Sequence, residues 1–110
     1  MKFDKLEKLY LGGNKISNIN ILENVNFKEL KELNLSNNNI SDIKVLEKVK
    51  FDKLEKLNLG RNKISNNINI LENVNFKVLK ELYLSWNNIS DIEVLDYIQF
   101  EKFEQLNLLK

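Results

Sequence analysis

The segment LKELNLSNNNI, residues 30–40, decides the fold of this chain. It follows the pattern L-x-x-L-x-L-x-x-N-x-I, and its central L-x-L has the period of two that is typical of a β-strand. Successive side chains of a strand point to opposite faces, so Leu33 and Leu35 are predicted to face a core and Asn34 to face away from it. Asn38 follows at the point where the chain leaves the strand.

The same pattern recurs along the whole chain. Full copies occupy residues 6–16, 30–40, 54–64 and 79–89. The phenylalanines that open successive segments are 24, 24, 25 and 24 residues apart, and they are Phe3, Phe27, Phe51, Phe76 and Phe100. Self-similarity at such a period predicts a single repeat domain. We expect it to span residues 1–110, with repeats at 3–26, 27–50, 51–75 and 76–99, a partial repeat at 100–110, and no recognisable caps.

This pattern resembles the leucine-rich repeat family, in the class with repeats of about 22 to 24 residues. The resemblance implies an α/β solenoid, wound as a right-handed superhelix, with a concave parallel sheet of about five short strands and short helices on the convex side. Leu9 and Leu11 would point inward, and Tyr10 and Gly12 outward. The family's asparagine ladder, whose amides satisfy backbone groups where the chain leaves each strand, is matched by Asn14, Asn38, Asn62 and Asn87.

The second half of each repeat predicts the convex element. In SDIKVLEKVKF, residues 41–51, apolar residues recur three apart at Ile43, Leu46 and Val49. This spacing suits a short helix, with Ser41 or Asp42 as its N-cap.

Charged residues beside the strands alternate in sign from one repeat to the next. One column reads Lys8, Glu32, Lys56, Glu81 and Gln105. Adjacent parallel strands lie ~4.8 Å apart, so each charge is expected to meet an opposite one. An exposed pair stabilises by only about 0.2 to 1 kcal/mol, but a shift by one repeat would oppose like charges. The columns therefore specify the order of the repeats.

Composition excludes several classes of function. The 17 basic and 16 acidic residues give a net charge of +1, so we expect neither a nucleic acid nor a membrane as partner. The chain has no Cys and no His, which removes thiol chemistry, the common zinc ligands and the usual general base. We expect no enzyme, no cofactor and no metal site. Without a signal peptide or a run of membrane-spanning length, a cytoplasmic protein is favoured, although a piece of a secreted parent would look the same.

Positions where the near-identical copies differ point to something other than folding. One such column reads Gly13, Asn37, Arg61, Trp86 and Lys110. An indole is therefore not required there by the fold, and an exposed tryptophan beside the outward Tyr83 is typical of an interaction hot spot. The family resemblance makes the concave face the protein-binding surface, with the candidates Tyr10, Arg61, Tyr83 and Trp86. The alternative is that Trp86 packs over Arg61 and Lys110 as a cation–π lid.

Two functions remain open. The first is a non-catalytic scaffold that presents its concave face to a protein partner. The second is a structural or engineered repeat module that self-assembles, as an end-to-end dimer through its C-terminal segment, because uncapped repeats expose core and strand edges. A two-fold contact would avoid opposing like charges. Its candidate residues are Phe103, Leu106, Leu108 and Leu109.

Overall fold

Five short strands form one parallel sheet in the computed structural model, which describes residues 5–65, 70, 74, 77–89 and 105–107. The strands lie in chain order: β1 (Lys8–Tyr10), β2 (Glu32–Asn34), β3 (Lys56–Asn58), β4 (Glu81–Tyr83) and β5 (Gln105–Asn107). They pair without offset, so the central leucines of successive strands are opposite one another. The predicted parallel sheet of about five strands is confirmed.

The inward side chains form a continuous apolar core. Leu33, Leu57 and Leu82, at the centres of β2, β3 and β4, are at most 1% exposed. Beneath them the rings of Phe27 and Phe51 stack with centroids 6.2 Å apart. Full burial of one such side chain stabilises by about 1.5 to 3 kcal/mol, so repetition of the same apolar positions supplies the main driving force for stacking.

The segments that return from one strand to the next contain 3₁₀ turns where the sequence predicted short helices. The two described turns span Asn20–Asn24 and Lys44–Glu47. Val45 and Leu46 within the second turn are buried, as are Ile43 directly before it and Val49 two residues beyond its end. No helix in the described ranges is long and apolar enough to cross a membrane.

The N-cap prediction for this turn was wrong. Ile43 occupies the N-cap position of the Lys44–Glu47 turn, and an isoleucine side chain cannot cap. Asp42 acts one residue earlier, since its Oδ1 accepts a hydrogen bond from the backbone N–H of Lys44 at 3.0 Å. This bond between residues two apart is typical of an Asx turn, which leads the chain into the 3₁₀ segment.

Ion pairs join the charged columns in the predicted register. The Nζ atoms of Lys8 and Lys56 each lie 3.6 Å from a carboxylate oxygen on the next strand, of Glu32 and Glu81 respectively. Parallel columns contribute the pairs Glu7–Lys31, Glu29–Lys53 and Asp52–Lys77. The alternation of sign is therefore confirmed as a set of contacts between repeats.

Candidate functional site

The asparagine column connects consecutive repeats through side-chain amides, which are buried at Asn38 and Asn62. The Nδ2 of Asn62 donates to the carbonyl oxygens of Leu35, Leu59 and Gly60, each at 3.0 Å, and its Oδ1 accepts from the backbone N–H of Ile40 at 3.0 Å. The side chain is 7% exposed. Asn38 and Asn87 each make the equivalent four bonds, two within their own repeat and two to the preceding repeat.

The first member of the column differs from the others. Asn14 is exposed and donates only within its own repeat, to the carbonyl oxygens of Leu11 at 2.8 Å and Gly12 at 3.4 Å. Within the described residues its amide reaches no other repeat. All four asparagines serve backbone groups, which leaves the outward faces of the strands and the turns beyond them as the candidate binding surface.

The residue just before each asparagine has a left-handed backbone. Its φ angle is 75° at Gly13, 55° at Asn37, 52° at Arg61 and 59° at Trp86. Glycine and asparagine tolerate this region, whereas other residues pay roughly 1 to 2 kcal/mol for it. The first two repeats therefore carry residues suited to the turn, and the next two carry residues that strain it.

Arg61 and Trp86 contact each other across this strained column. The guanidinium carbon of Arg61 lies over the indole, 5.0 Å from the ring centroid, and Trp86 remains 53% exposed. An exposed cation–π contact is worth about 0.5 to 1 kcal/mol, less than the backbone strain of two such residues. The contact is half of the predicted lid, while the Lys110 half lies outside the described residues. The contact by itself therefore does not offset the backbone strain at Arg61 and Trp86.

A row of outward side chains crosses the sheet beside this column. Tyr10 on β1 and Tyr83 on β4 stand on either side of Asn34 and Asn58, which are paired in register on β2 and β3. Together with Glu32, Leu33 and Lys56 they line an open hollow of about 190 Å³. Tyr10 is 59% exposed. This face thus presents aromatic rings around a small polar floor.

Hydrogen bonds within single repeats orient the floor of the hollow. The Oδ1 of Asn34 accepts from the N–H of Ser36 at 2.9 Å and from its hydroxyl at 2.7 Å, and the Oδ1 of Asn58 accepts from the N–H of Gly60 at 2.9 Å. Among the described residues, neither Nδ2 donates a hydrogen bond. Two amide donors on adjacent strands are therefore available to a ligand.

Carboxylates hold both tyrosines, a feature that the sequence prediction missed. The Tyr10 hydroxyl donates to Oε1 of Glu32 at 2.5 Å, and the Tyr83 hydroxyl donates to Oε1 of Glu81. The hydrogen bond raises the pKa of each tyrosine, and the bond from Tyr10 lowers the pKa of Glu32. The signal was present in the spacing, because Glu81 lies two residues from Tyr83 on one face and Glu32 is a diagonal neighbour of Tyr10.

The structure brings the predicted binding residues into two groups. Tyr10 and Tyr83 flank the hollow, whereas Arg61 and Trp86 stack at the turns beyond it. Of the proposed self-association residues, Leu106 lies in β5 opposite Leu82, and the other three lie outside the described residues: Phe103, Leu108 and Leu109.

Two further features of the described surface add no chemistry to this site. A larger hollow of about 470 Å³ lies between the return segments that precede β2 and β3, and its lining carries both signs of charge, including the ion pair of Glu23 and Lys48. Within the described ranges no group of three or more His, Cys, Asp or Glu residues is placed to hold a metal ion.

Comparison with known proteins confirms the resemblance that the sequence predicts. A family model described as Leucine Rich repeats (2 copies) matches residues 4–48 and 28–73, and one described as Leucine Rich repeat matches residues 77–92. An internalin from Listeria monocytogenes strain 4b F2365 has a similar crystal structure, with a TM-score of 0.57 and 28% sequence identity. The match covers 96% of this chain and 36% of the internalin, so the chain spans well under half of that protein. No curated protein matches.

Proposed function

The chain belongs to the leucine-rich repeat family, and on that basis we propose that it is a non-catalytic scaffold that binds a protein partner. The binding surface comprises the outward face of the sheet, with Tyr10 and Tyr83, and the turns that carry Arg61 and Trp86. The similarity to an internalin supports a repeat scaffold and says nothing about which partner is bound.

The exposure of Trp86 carries this proposal. A tryptophan that is 53% exposed in a left-handed turn costs the fold energy, and its contact with Arg61 does not repay that cost. Tryptophan and tyrosine are enriched at the centres of protein interfaces because they bury a large apolar area with little loss of conformational entropy. Burial of the exposed indole by a partner would offset the backbone strain at Trp86.

The hollow between Tyr10 and Tyr83 suits a peptide or loop better than a small molecule. It is open, and its polar lining includes the amide donors of Asn34 and Asn58 together with the charged groups of Glu32 and Lys56. Main-chain carbonyl oxygens of a partner are suitable acceptors for such donors. The tyrosine hydroxyls are held by carboxylates, so their rings are oriented before the partner arrives.

Selection from a random peptide library displayed on phage tests the proposal and does not require the partner to be identified first. Peptides that bind the protein would be counter-selected with the Trp86→Asn variant, which carries the residue that repeat two has at the same position. We expect a class of peptides that binds the protein and is lost with Trp86→Asn and with Tyr83→Asn. Lys44→Ala, in the turn on the other side of the repeat, is the matched control and should retain them.

Two results would contradict the proposal. One is recovery only of peptides that bind all three variants equally. The other is loss of binding in Lys44→Ala together with retention in Trp86→Asn.

Self-association through the C-terminal segment is the second candidate function. It is supported by the position of β5, which pairs with β4 and, within the described residues, has no partner on its other edge. An unpaired strand edge is a site at which a second chain can add. Size-exclusion chromatography with light scattering would show a mass of about twice 13.0 kDa that Leu108→Lys reduces to the monomer. A mass that Leu108→Lys does not change would exclude this contact.

A further inference from the structure

We propose that the edge of the solenoid beyond the strands binds an acidic segment of the partner, in which a carboxylate lies next to an apolar side chain. This edge, called the rim from here on, is defined by Lys15, Arg61, Lys63 and Trp86. The inference rests on the proposed function and adds the chemistry of the partner.

Charge is segregated between the two ends of the strands. Where the strands begin, cations and carboxylates alternate and form ion pairs between repeats, such as Lys8 with Glu32 and Lys56 with Glu81. The turns beyond the strands, residues 12–17, 36–41, 60–65 and 85–89, contain three cations and no Asp or Glu. The rim is therefore a positive strip on a chain whose net charge is only +1.

Among the residues that the structure describes, the cations of the rim have no acidic partner. All three are exposed, and among the described residues Lys15, Arg61 and Lys63 form no ion pair and no side-chain hydrogen bond. Exposed charges of one sign without counter-charges attract ligands of the opposite sign and steer their approach. Carboxylates are the complementary groups on a protein partner.

Backbone hydrogen bonds fix the rim as one continuous surface. The N–H of Arg61 donates to the carbonyl oxygen of Ser85 at 2.8 Å, and the N–H of Lys63 donates to that of Ile40 at 2.8 Å. An equivalent bond runs from Asn39 to Ile16. The cations are thus carried on turns whose relative positions are set by the stacking of repeats.

The stack of Arg61 on Trp86 places a cation next to an apolar surface on the rim. A guanidinium whose carbon lies over an aromatic ring can keep its N–H groups available for a carboxylate in fork geometry. The exposed part of the indole beside it would cover an apolar side chain. The pair therefore fits an acidic residue with an aliphatic or aromatic neighbour.

A protein segment fits the rim better than a nucleic acid does. Affinity for nucleic acid depends on the number of phosphates that are neutralised, and three cations supply few such contacts. Trp86 could still stack on a base, so a single-stranded oligonucleotide of thymidine belongs in the test as a second probe.

Titration with synthetic peptides would test the inference directly. The probe is a short peptide in which glutamate and leucine alternate, and its control has glutamine in place of every glutamate. Trp86 is the only tryptophan in the chain, so intrinsic fluorescence reports binding at the rim. We expect the glutamate peptide to bind more tightly than the glutamine peptide, with an advantage that shrinks as salt is added.

Variants that test the role of each cation can be taken from the equivalent positions of another repeat. Arg61→Asn and Lys63→Asn install the residues that repeat two carries at Asn37 and Asn39, so both should fold. Each should weaken binding of the glutamate peptide by about fivefold, which corresponds to one exposed charge contact. Lys53→Gln removes a cation that is paired with Glu29, away from the rim, and should leave the affinity unchanged.

Several outcomes would overturn the inference. Equal binding of the glutamate and glutamine peptides would do so, as would tighter binding of the oligonucleotide or equal losses in Lys53→Gln and Arg61→Asn. If the selected library peptides depend on Trp86 but lack acidic residues, the acidic partner is wrong and the proposed function stands. If acidic peptides bind the rim while no library peptide depends on Tyr83, the rim stands and the proposed role of the sheet face fails.

Discussion

Trp86 and Asn87 are neighbours in the chain, yet they belong to columns that behave in opposite ways. The column of Asn87 has the same residue in all four full repeats, and each member beyond the first makes four hydrogen bonds, two of them to the preceding repeat. The column of Trp86 has a different residue in each of the four full repeats, and all four of these residues are exposed and share a left-handed backbone. One column is specified by side-chain chemistry and the other only by backbone shape.

The difference teaches where the copies of this chain are free to diverge. A buried carbonyl or N–H without a partner costs free energy, so the amide that satisfies it cannot be exchanged. A turn that needs only a positive φ accepts any residue at a modest cost, and that tolerance leaves room for Arg61 and Trp86. Divergence among repeats therefore marks the surface that function can use.

The largest expected effect is the loss of a buried amide. Asn62→Ala removes four hydrogen bonds and leaves the backbone N–H of Ile40 without its acceptor, so we expect a loss of about 3 kcal/mol in the free energy of unfolding, measured in urea. Asn14→Ala, at the exposed member of the column, should cost no more than about 1 kcal/mol. Equal losses would mean that the connection between repeats is not what the amide supplies.

A β-branched residue in the adjacent column should have the next largest effect. Asn37→Val places such a residue at a φ of 55°, where its side chain clashes with the backbone, and should cost about 1 to 2 kcal/mol. Asn39→Val, also exposed but without a positive φ, should stay within about 0.5 kcal/mol of the parent protein. Thermal unfolding followed by circular dichroism compares the two, and no difference between them would argue against the strain.

Reversal of one charge should affect stability where the strands begin but not at the rim. Lys56→Glu would place a carboxylate between Glu32 and Glu81 and should lower the free energy of unfolding by about 1 kcal/mol at low salt, and by less at high salt. Lys63→Glu on the rim loses no ion pair among the described residues, so its stability should change little. A salt-independent loss in Lys56→Glu would point to altered packing instead.

The smallest effect concerns the carboxylate that holds Tyr10. The pKa of Glu32 is lowered mainly by the hydrogen bond from Tyr10, so Tyr10→Phe should raise that pKa towards its ordinary value of 4.5, as followed by NMR during a pH titration. A lowered folded-state pKa means that this stabilisation is present above pH 4.5 and is lost as the pH falls below it. Tyr83→Phe, which removes a bond to Glu81, should leave the pKa of Glu32 unchanged. A shift in both variants would contradict the pairing.

The fold was predictable because the same pattern of apolar and polar residues recurs in every repeat. The L-x-L step fixed strand position, and the alternating charges fixed the register of Lys8, Glu32 and Lys56. The 3₁₀ turns were not predicted, although the spacing of Ile43, Leu46 and Val49 matches their period better than that of an α-helix. A spacing of three is compatible with both kinds of helix, so the pattern of apolar residues does not distinguish them.

The candidate site was predictable in its residues but not in its geometry. Comparison of the copies singled out Arg61 and Trp86, because their column also contains Gly13 and Asn37. That pair of residue types was itself a signal of positive φ, yet the strain depends on backbone angles that only the structure supplies. The bond between Tyr10 and Glu32 likewise depends on side-chain reach across two strands, which the repeat pattern does not specify.

The most direct test of the central claim is to compare urea unfolding of Asn87→Ala and Trp86→Asn, both followed by circular dichroism. Asn87→Ala should lose about 2 to 3 kcal/mol, because it leaves buried backbone groups unpaired. Trp86→Asn should change the free energy of unfolding by less than about 1 kcal/mol, because relief of backbone strain offsets the lost contact with Arg61. A loss in Trp86→Asn as large as that in Asn87→Ala would show that the indole is part of the fold and would contradict its assignment to a binding surface.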